Sequence, residues 1–148
     1  MQRSALPRIN SVILGNPPEV IMIDAMGCFR TEVEIEDAEK KGSRRLMRDV
    51  LVDTGAELSW FPVDVLESLG IERAKIKYFR QASGVVIPRW IGFAKIYVAG
   101  TFTTDEVVFG EENDLVLLGA RSLEGLNLCV DPVHKCLVDA GPVLAAAA

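Results

Sequence analysis

From residue 31 the chain alternates between small or apolar positions and acidic positions with a period of two. Thr31, Val33 and Ile35 occupy one side of the alternation, and three glutamates occupy the other. This spacing predicts a strand with one buried and one solvated face. The polar stretch 37–43 predicts a turn, and the stretch 46–52 predicts a mostly buried strand that returns beside the first.

A short helix is predicted after Pro62, because proline is favoured at the start of a helix. Val65, Leu66 and Leu69 then fall on one side of that helix. Gly70 can end it, since glycine is the residue that most readily adopts the left-handed conformation found after a last turn.

A long hairpin is predicted in the middle of the chain. β-branched and aromatic residues favour strands over Tyr78–Ala82 and Val85–Val98, with Ser83-Gly84 between the two arms. The polar stretch 110–114 predicts a further loop. The predicted fold class is therefore mostly β, with one or two short helices.

The sequence is interpreted as three parts. Residues 1–25 are expected to be a leader or pro-segment, residues 26–140 a single domain, and residues 141–148 a tail left over from cloning that carries no fold information. The apolar runs 12–14 and 20–23 are far shorter than the ~20 residues that span a bilayer, so no membrane partner is expected.

Composition fits a soluble globular domain, with 49% hydrophobic and 25% charged residues in a chain of 148. The net charge of −5 argues against nucleic acid as the main partner. The local basic cluster 40–45 is an exception, and we interpret it as a solvated hairpin turn rather than a site for an acidic partner.

Three cysteines, an odd number, and no recognisable secretory leader indicate a reducing compartment, so the expected location is cytoplasmic. Cys129 and Cys136 lie symmetrically about Pro132-Val133, so in a hairpin they could face each other. Buried reduced thiols are the preferred interpretation. A metal site with His134 is not predicted, because no second pair of ligands has suitable spacing.

The chemistry of the chain is concentrated in the tetrapeptide Asp53-Thr54-Gly55-Ala56, which directly follows an apolar run. An ionised carboxylate at the end of a buried strand is costly unless it has hydrogen-bond donors, a partner charge or a shared proton. Gly55 permits a tight turn, and Thr54 offers a hydroxyl group. We therefore expect Asp53 to be a functional residue.

At this point the chain resembles the retropepsin-like aspartic proteases, including their bacterial relatives. Ala82, Ser83 and Gly84 interrupt the predicted hairpin as the family's flap turn would. Leu117, Leu118 and Gly119 are similar to the family's second element, two hydrophobic residues followed by glycine, and a short amphipathic segment comes next.

The resemblance implies a closed β-barrel and a catalytic pair of aspartates that share one proton. The chain holds one Asp-Thr-Gly motif and no visible repeat, so the pair requires a symmetric homodimer in which Asp53 of each copy meets across the two-fold axis. The implied activity is endopeptidase cleavage of extended peptides by an activated water, without a cofactor or metal. Thr54 would bond to its symmetry mate, and Gly55 with the flap backbone would hold the substrate.

The chain also departs from the viral pattern. Ala120 follows the second-motif glycine where those enzymes have arginine, Arg121 comes one place later, and the acidic residue after the first motif is Glu57. Arg121 either pairs with Glu57 or lies on a helix surface. Ala56 has no hydroxyl group to donate to the aspartate, which predicts a working pH nearer neutral than that of stomach-type enzymes.

Two functional interpretations stay open. The first is the endopeptidase, and the alternative is a non-catalytic peptide-binding or regulatory dimer on the same fold, because fold alone does not establish activity. A metal or nucleic-acid role built on His134 or the basic turn is a weaker third. Trp60 and Trp90 either line substrate pockets or belong to the core or an interface.

Overall fold

The structure is a computed structural model that describes residues 22–23 and 29–146. The leader expected over residues 1–25 therefore lies outside the described residues except for one two-residue strand. Cys28 also lies outside them, as do the last two residues of the expected tail.

In the described part of the chain, short strands alternate with tight turns, and two short helices follow the fourth and eighth strands. The elements are β1 Met22–Ile23, β2 Phe29–Asp37, β3 Arg45–Val52, β4 Ser59–Pro62, α1 Val63–Ser68, β5 Lys75–Arg80, β6 Val86–Val98, β7 Thr101–Gly110, β8 Leu117–Leu118, α2 Ala120–Leu126, β9 Leu128–Asp131 and β10 Cys136–Asp139. The prediction of a mostly β fold with one or two short helices is confirmed.

The strand pairings close on themselves. Neighbouring strands follow the order β2, β3, β8, β4, β7 and β6, and β6 pairs again with β2. β1 pairs with β2, and β5 pairs with β6, so these two strands extend from the ring. β9 and β10 form a separate two-stranded sheet. The ring encloses the main apolar core, in which Phe29, Phe61 and Phe109 are among the largest fully or nearly fully buried side chains.

The alternation predicted for β2 is present. Thr31, Val33 and Ile35 are buried, and Glu32 and Glu34 are half-buried. Glu36 departs from the pattern, since only 6% of the residue is exposed.

The Tyr97 hydroxyl donates a hydrogen bond of 2.7 Å to Glu36 and lowers the pKa of that carboxyl group against the opposing effect of burial. A carboxylate on the acidic face of β2 is therefore accommodated near the core because it has a donor.

The prediction that the stretch 46–52 is mostly buried is wrong for its first half. Only Val50, Leu51 and Val52 are buried, whereas the preceding part of β3 is exposed or half-buried. The register with β2 shifts between Thr31 and Val33, where Arg48 and Asp49 of β3 lie opposite the single residue Glu32, and Asp49 in this bulge has φ of 58°. A bulge bends its strand, so the residues before it project beyond the covered part of the sheet.

The predicted helix and hairpin are both present. Val65 and Leu66 are buried on the inner side of α1, and Gly70 follows the helix with φ of +80°. The hairpin consists of β5 and β6, and its first arm begins at Lys75, three residues earlier than predicted.

Cys129 and Cys136 do not face each other across the hairpin, as the sequence suggested they could. β9 and β10 pair with Cys129 opposite Val138 and Cys136 opposite Asp131. The hairpin is thus centred one residue later than the symmetry about Pro132-Val133 suggested. Cys136 is buried, but Cys129 is exposed, so the expectation of buried thiols fails for Cys129.

Among the described residues, no helix combines the length and apolar character needed to cross a bilayer.

Gly92 on β6 lies where the ring of strands packs against the segment that follows α1, so a substitution there probes this packing. A Cβ atom at Gly92 would lie 2.7 Å from the Ile71 side chain, 2.8 Å from the Glu72 carbonyl oxygen and 2.9 Å from the Phe109 ring. We expect Gly92→Ala to lower the free energy of unfolding by roughly 1–3 kcal/mol, because the neighbours include backbone and core atoms.

Gly42→Ala is the matched control, since a Cβ atom there would meet nothing within 4 Å. Urea unfolding should place this control within about 0.5 kcal/mol of wild type. Equal stability of the two variants would contradict the packing described here.

Candidate active site

Asp53 leaves the buried end of β3 and enters a tight turn. Its backbone N–H donates to the Leu118 carbonyl oxygen at 3.0 Å, and its Oδ1 accepts the Gly55 N–H at 2.8 Å. The residue is half-buried, whereas Thr54 and Gly55 are exposed. The carboxylate is therefore held by local backbone bonds while the turn that carries it reaches the surface.

The second motif lies directly beside this turn. β8 is inserted between β3 and β4, the two strands that flank the turn. Leu117 and Leu118 pair in parallel with Leu51 and Val52, and Leu117 also pairs with Trp60 in antiparallel fashion. The two elements that the sequence separates by some sixty residues are thus adjacent strands.

Residue 119 must be glycine because the backbone after β8 passes very close to the loop that follows Asp53. A Cβ atom at this position would lie 2.5 Å from the Leu58 carbonyl oxygen and 3.0 Å from that of Ala56. The following residues then bind the same loop, since the Ala120 N–H donates to the Ala56 carbonyl oxygen at 2.8 Å and the Arg121 N–H donates to that of Glu57 at 3.0 Å. The start of α2 therefore fixes the backbone just after Asp53-Thr54-Gly55.

A network of buried hydrogen bonds holds Gly119 in place next to this loop. The Gly119 N–H donates to Ser59 Oγ at 2.9 Å, and Ser59 Oγ lies 2.7 Å from Ser122 Oγ. Ser122 Oγ in turn donates to Asp105 Oδ2 at 3.1 Å. Both serines are fully buried. Sequence reasoning missed this network, although a serine in an apolar strand and another on the apolar side of a short helix were available as signals.

The side chain of Arg121 pairs with acidic residues other than Glu57. Its Nη2 lies 3.4 Å from Asp105 Oδ1 and 3.8 Å from Glu106 Oε2. The carboxylate that Arg121 meets is therefore on β7, and only its backbone N–H contacts Glu57. Of the two alternatives left by the sequence, the ion pair with Glu57 is absent among the described contacts, and Arg121 lies partly exposed on α2 with its side chain paired to Asp105.

The turn of the β5–β6 hairpin spans residues 81–85. The Gln81 N–H donates to the Val85 carbonyl oxygen, and the Gly84 N–H donates to that of Gln81, both at 2.8 Å. Gly84 has φ of +93°, a conformation that favours glycine. Ala82 and Ser83 are exposed at the tip.

One cavity joins Asp53 to this hairpin. It has a volume of about 440 Å³, and its walls come from the Asp53 turn, β4, β8, both hairpin arms and the loop before β8. The lining residues are Asp53, Gly55, Ala56, Glu57, Leu58, Trp60, Phe79, Arg80, Gln81, Ile87, Asn113, Asp114, Leu115 and Leu117.

The cavity brings together only part of the predicted site. Thr54, the tip residues 82–84, Leu118 and Gly119 do not line it. Leu118 and Gly119 instead support the turn from behind. A larger cavity of about 610 Å³ lies over β2, β3 and the β6–β7 turn, and it contains none of the predicted site residues.

The two tryptophans differ in their surroundings. Trp60 lines the cavity and packs edge-to-face against Phe79, with ring centroids 4.9 Å apart and planes at 60°. Trp90 does not line it, pairs across the hairpin with Ile76, and is 40% exposed. Of the two alternatives left by the sequence, the pocket position thus applies to Trp60 alone.

An ion pair that sequence reasoning missed lies beside the cavity. Arg89 on β6 donates to Asp114 through Nε at 2.7 Å and through Nη2 at 3.1 Å, and each side chain is only 12% exposed. Asp114 Oδ2 also accepts the Glu111 N–H at 2.7 Å. Burial alone would raise the pKa of Asp114, but the bonds from Arg89 and Glu111 outweigh it and lower that pKa.

Within the part of the chain that the structure describes, no group of three or more His, Cys, Asp or Glu side chains could hold a metal ion. His134 Nδ1 instead lies 2.8 Å from Asp131 Oδ2.

No protein-family description matches the sequence, and a search of characterised proteins finds no match.

Asp114→Asn should make the stability less sensitive to acid. A carboxyl group whose pKa is lowered by folding contributes stability that is fully present above its unfolded pKa and is lost as the pH falls through the folded value. At neutral pH we expect the variant to lose roughly 2 kcal/mol of unfolding free energy, because a buried ion pair is broken.

The difference between wild type and variant should shrink below the ordinary pKa of 3.8. Urea unfolding measured from acidic to neutral pH checks this expectation. A gap that is as wide in strong acid as at neutral pH would contradict it.

Proposed function

We propose that this protein is an aspartic endopeptidase that acts as a symmetric homodimer of the retropepsin type. The observation that carries the proposal is the single cavity shared by Asp53 and the β5–β6 hairpin. A carboxylate held in a tight turn, next to an inserted second motif and under a hairpin, is the arrangement that the resemblance implies.

The chemistry requires two copies of Asp53. In the proposed dimer one carboxylate is ionised and accepts a proton from a water held between the pair, while the other is protonated and donates to the scissile carbonyl oxygen. No covalent intermediate forms. The exposure of Thr54 and Gly55 supports this assembly, because a turn that reaches the surface can meet its symmetry mate.

The cavity supports the proposed substrate class. Trp60, Phe79, Ile87 and Leu115 present apolar surface within reach of the Asp53 turn. An extended peptide with apolar side chains beside the scissile bond could bury them there. The hairpin would act as a flap that excludes water and binds the peptide backbone near Ser83 and Gly84.

The alternative function is a non-catalytic peptide-binding or regulatory dimer on the same fold. The side chain of Arg121 favours it, since it binds Asp105 and Glu106 on β7 rather than the acidic residue after the first motif. The intact Asp-Thr-Gly sequence and the position of Asp53 in the cavity favour the enzyme. A cytoplasmic location belongs to the same proposal and is supported by the odd number of cysteines.

Asp53→Asn should abolish cleavage. Asparagine keeps the size of the side chain and can still accept the Gly55 N–H, but it cannot serve as the ionised base. We expect a loss of at least about a thousandfold in kcat/KM on a library of extended peptides, assayed from mildly acidic to neutral pH.

Asp64→Asn is the matched control, because Asp64 is an exposed acid in the first turn of α1 and does not line the cavity. It should cleave like wild type. Full activity of Asp53→Asn would exclude the aspartic mechanism. Peptide binding by wild type without any cleavage would instead select the alternative function.

A further inference from the structure

Besides its strand pairing, the flap hairpin has side chains on both arms that contact segments lining the Asp53 cavity. On the first arm, Phe79 packs against Trp60 of β4. On the second arm, Arg89 binds Asp114 in the loop between β7 and β8. The first contact lies inside the cavity. The second lies at its margin, since Asp114 lines the cavity and Arg89 does not.

The Arg89 contact is built to hold a fixed geometry. A guanidinium group that binds both oxygens of one carboxylate restricts distance and direction together, unlike a single exposed ion pair. The same carboxylate binds the Glu111 N–H and so shapes the loop from within, and Glu111 approaches Arg89 at 3.6 Å. The loop can therefore move relative to the hairpin only if several bonds break together.

The loop carries cavity residues on either side of this bond. Asn113 precedes Asp114 and Leu115 follows it, and all three line the cavity that holds Asp53. Leu115 is 61% exposed, so it offers apolar surface that a substrate side chain could cover. Leu117, two residues further on, is already part of β8 beside the Asp53 turn.

We propose that Arg89 and Asp114 are a positioning pair that sets the distance between the flap hairpin and the Asn113–Leu115 wall, and thereby determines how tightly the Asp53 cavity closes on an apolar substrate side chain. This inference rests on the proposed function for its substrate. Its structural part, the coupling of the hairpin to the loop, does not depend on catalysis. Neither residue touches the reacting atoms, so the pair affects substrate binding more than the chemical step.

A single-tryptophan background gives a readout that requires no activity. The chain has two tryptophans, and only Trp60 lines the cavity, so Trp90→Phe leaves Trp60 as the sole emitter. Acrylamide quenching of Trp60 fluorescence then reports how open the cavity is. In this background we expect Arg89→Met to raise the quenching constant by about twofold or more, because the second arm loses its bond to the loop.

Kinetics on a cleaved peptide gives the second readout. Arg89→Met and Asp114→Asn should each raise KM about tenfold and leave kcat within about threefold of wild type. The dissociation constant of a peptide inhibitor that carries a hydroxyl-bearing transition-state mimic should rise to a similar degree. Arg89→Lys should change both readouts in the same direction but less, since lysine keeps the charge and loses the two-point geometry.

The exchanged double variant Arg89→Asp with Asp114→Arg should recover part of the loss, because it restores an ion pair at the same place. Arg48→Met is the matched control. Arg48 pairs with Glu32 on the outer face of β2 and β3, outside the cavity, and its removal should leave quenching and KM unchanged.

The outcomes separate the two proposals. Unchanged quenching and unchanged KM in folded Arg89→Met and Arg89→Lys would overturn the positioning pair while leaving the endopeptidase intact. If wild type cleaves no peptide, the endopeptidase fails, and quenching alone decides the coupling. A rise in Trp60 quenching that is matched by Arg48→Met would also overturn the proposal, because it would show general loosening.

Discussion

The insertion of β8 between β3 and β4 is the constraint on which the site depends. The two residues of β8 pair with β3, the strand that ends just before Asp53, and with β4, the strand that follows the Asp53 turn. This closeness is possible because residue 119 has no side chain, since a Cβ atom would lie 2.5 Å from the Leu58 carbonyl oxygen. The main chain of the Asp53 turn is thus fixed by a segment far away in sequence.

The same insertion explains why polar groups are tolerated beneath the turn. Ser59 on β4 and Ser122 on α2 are fully buried, yet each has a hydrogen-bond partner, and the network continues to Asp105 and Arg121. Buried polar groups that are fully paired make a local structure unique, whereas unpaired ones would cost free energy. The base of the turn is consequently held by hydrogen bonds, whereas Thr54 and Gly55 at its tip are exposed.

Much of the fold could be predicted because its signals are local. The period-two pattern of β2, the Pro62 to Gly70 helix and the turn at Ser83-Gly84 each depend on neighbouring residues, and the structure contains all three. The exposure of the first half of β3 could not be predicted, because it follows from a bulge whose cause is the register with β2. The pairing of Cys129 with Cys136 across the β9–β10 hairpin was wrong for a similar reason, because the turn is shifted by one residue.

For the candidate site, the sequence singles out the motif residues but not the residues that shape the space around them. Asp53 and the second-motif residues Leu117–Gly119 stand out as motifs. Phe79, Arg89 and Asp114 do not, because an aromatic residue or a charged residue in a strand or loop is ordinary until its partner is known. Their importance depends on distances between segments that no local pattern encodes.

The central claim is that each active centre takes one Asp53 from each of two copies. The most direct measurement adds increasing amounts of Asp53→Asn to a fixed concentration of wild type, after time for subunit exchange, and follows peptide cleavage. If the centre is shared and mixed dimers are inactive, an equal amount of variant should halve the activity, and a tenfold excess should reduce it to about a tenth. Activity that stays constant throughout the titration, while an affinity-tagged variant co-purifies with wild type and so shows that mixed dimers form, would contradict the account.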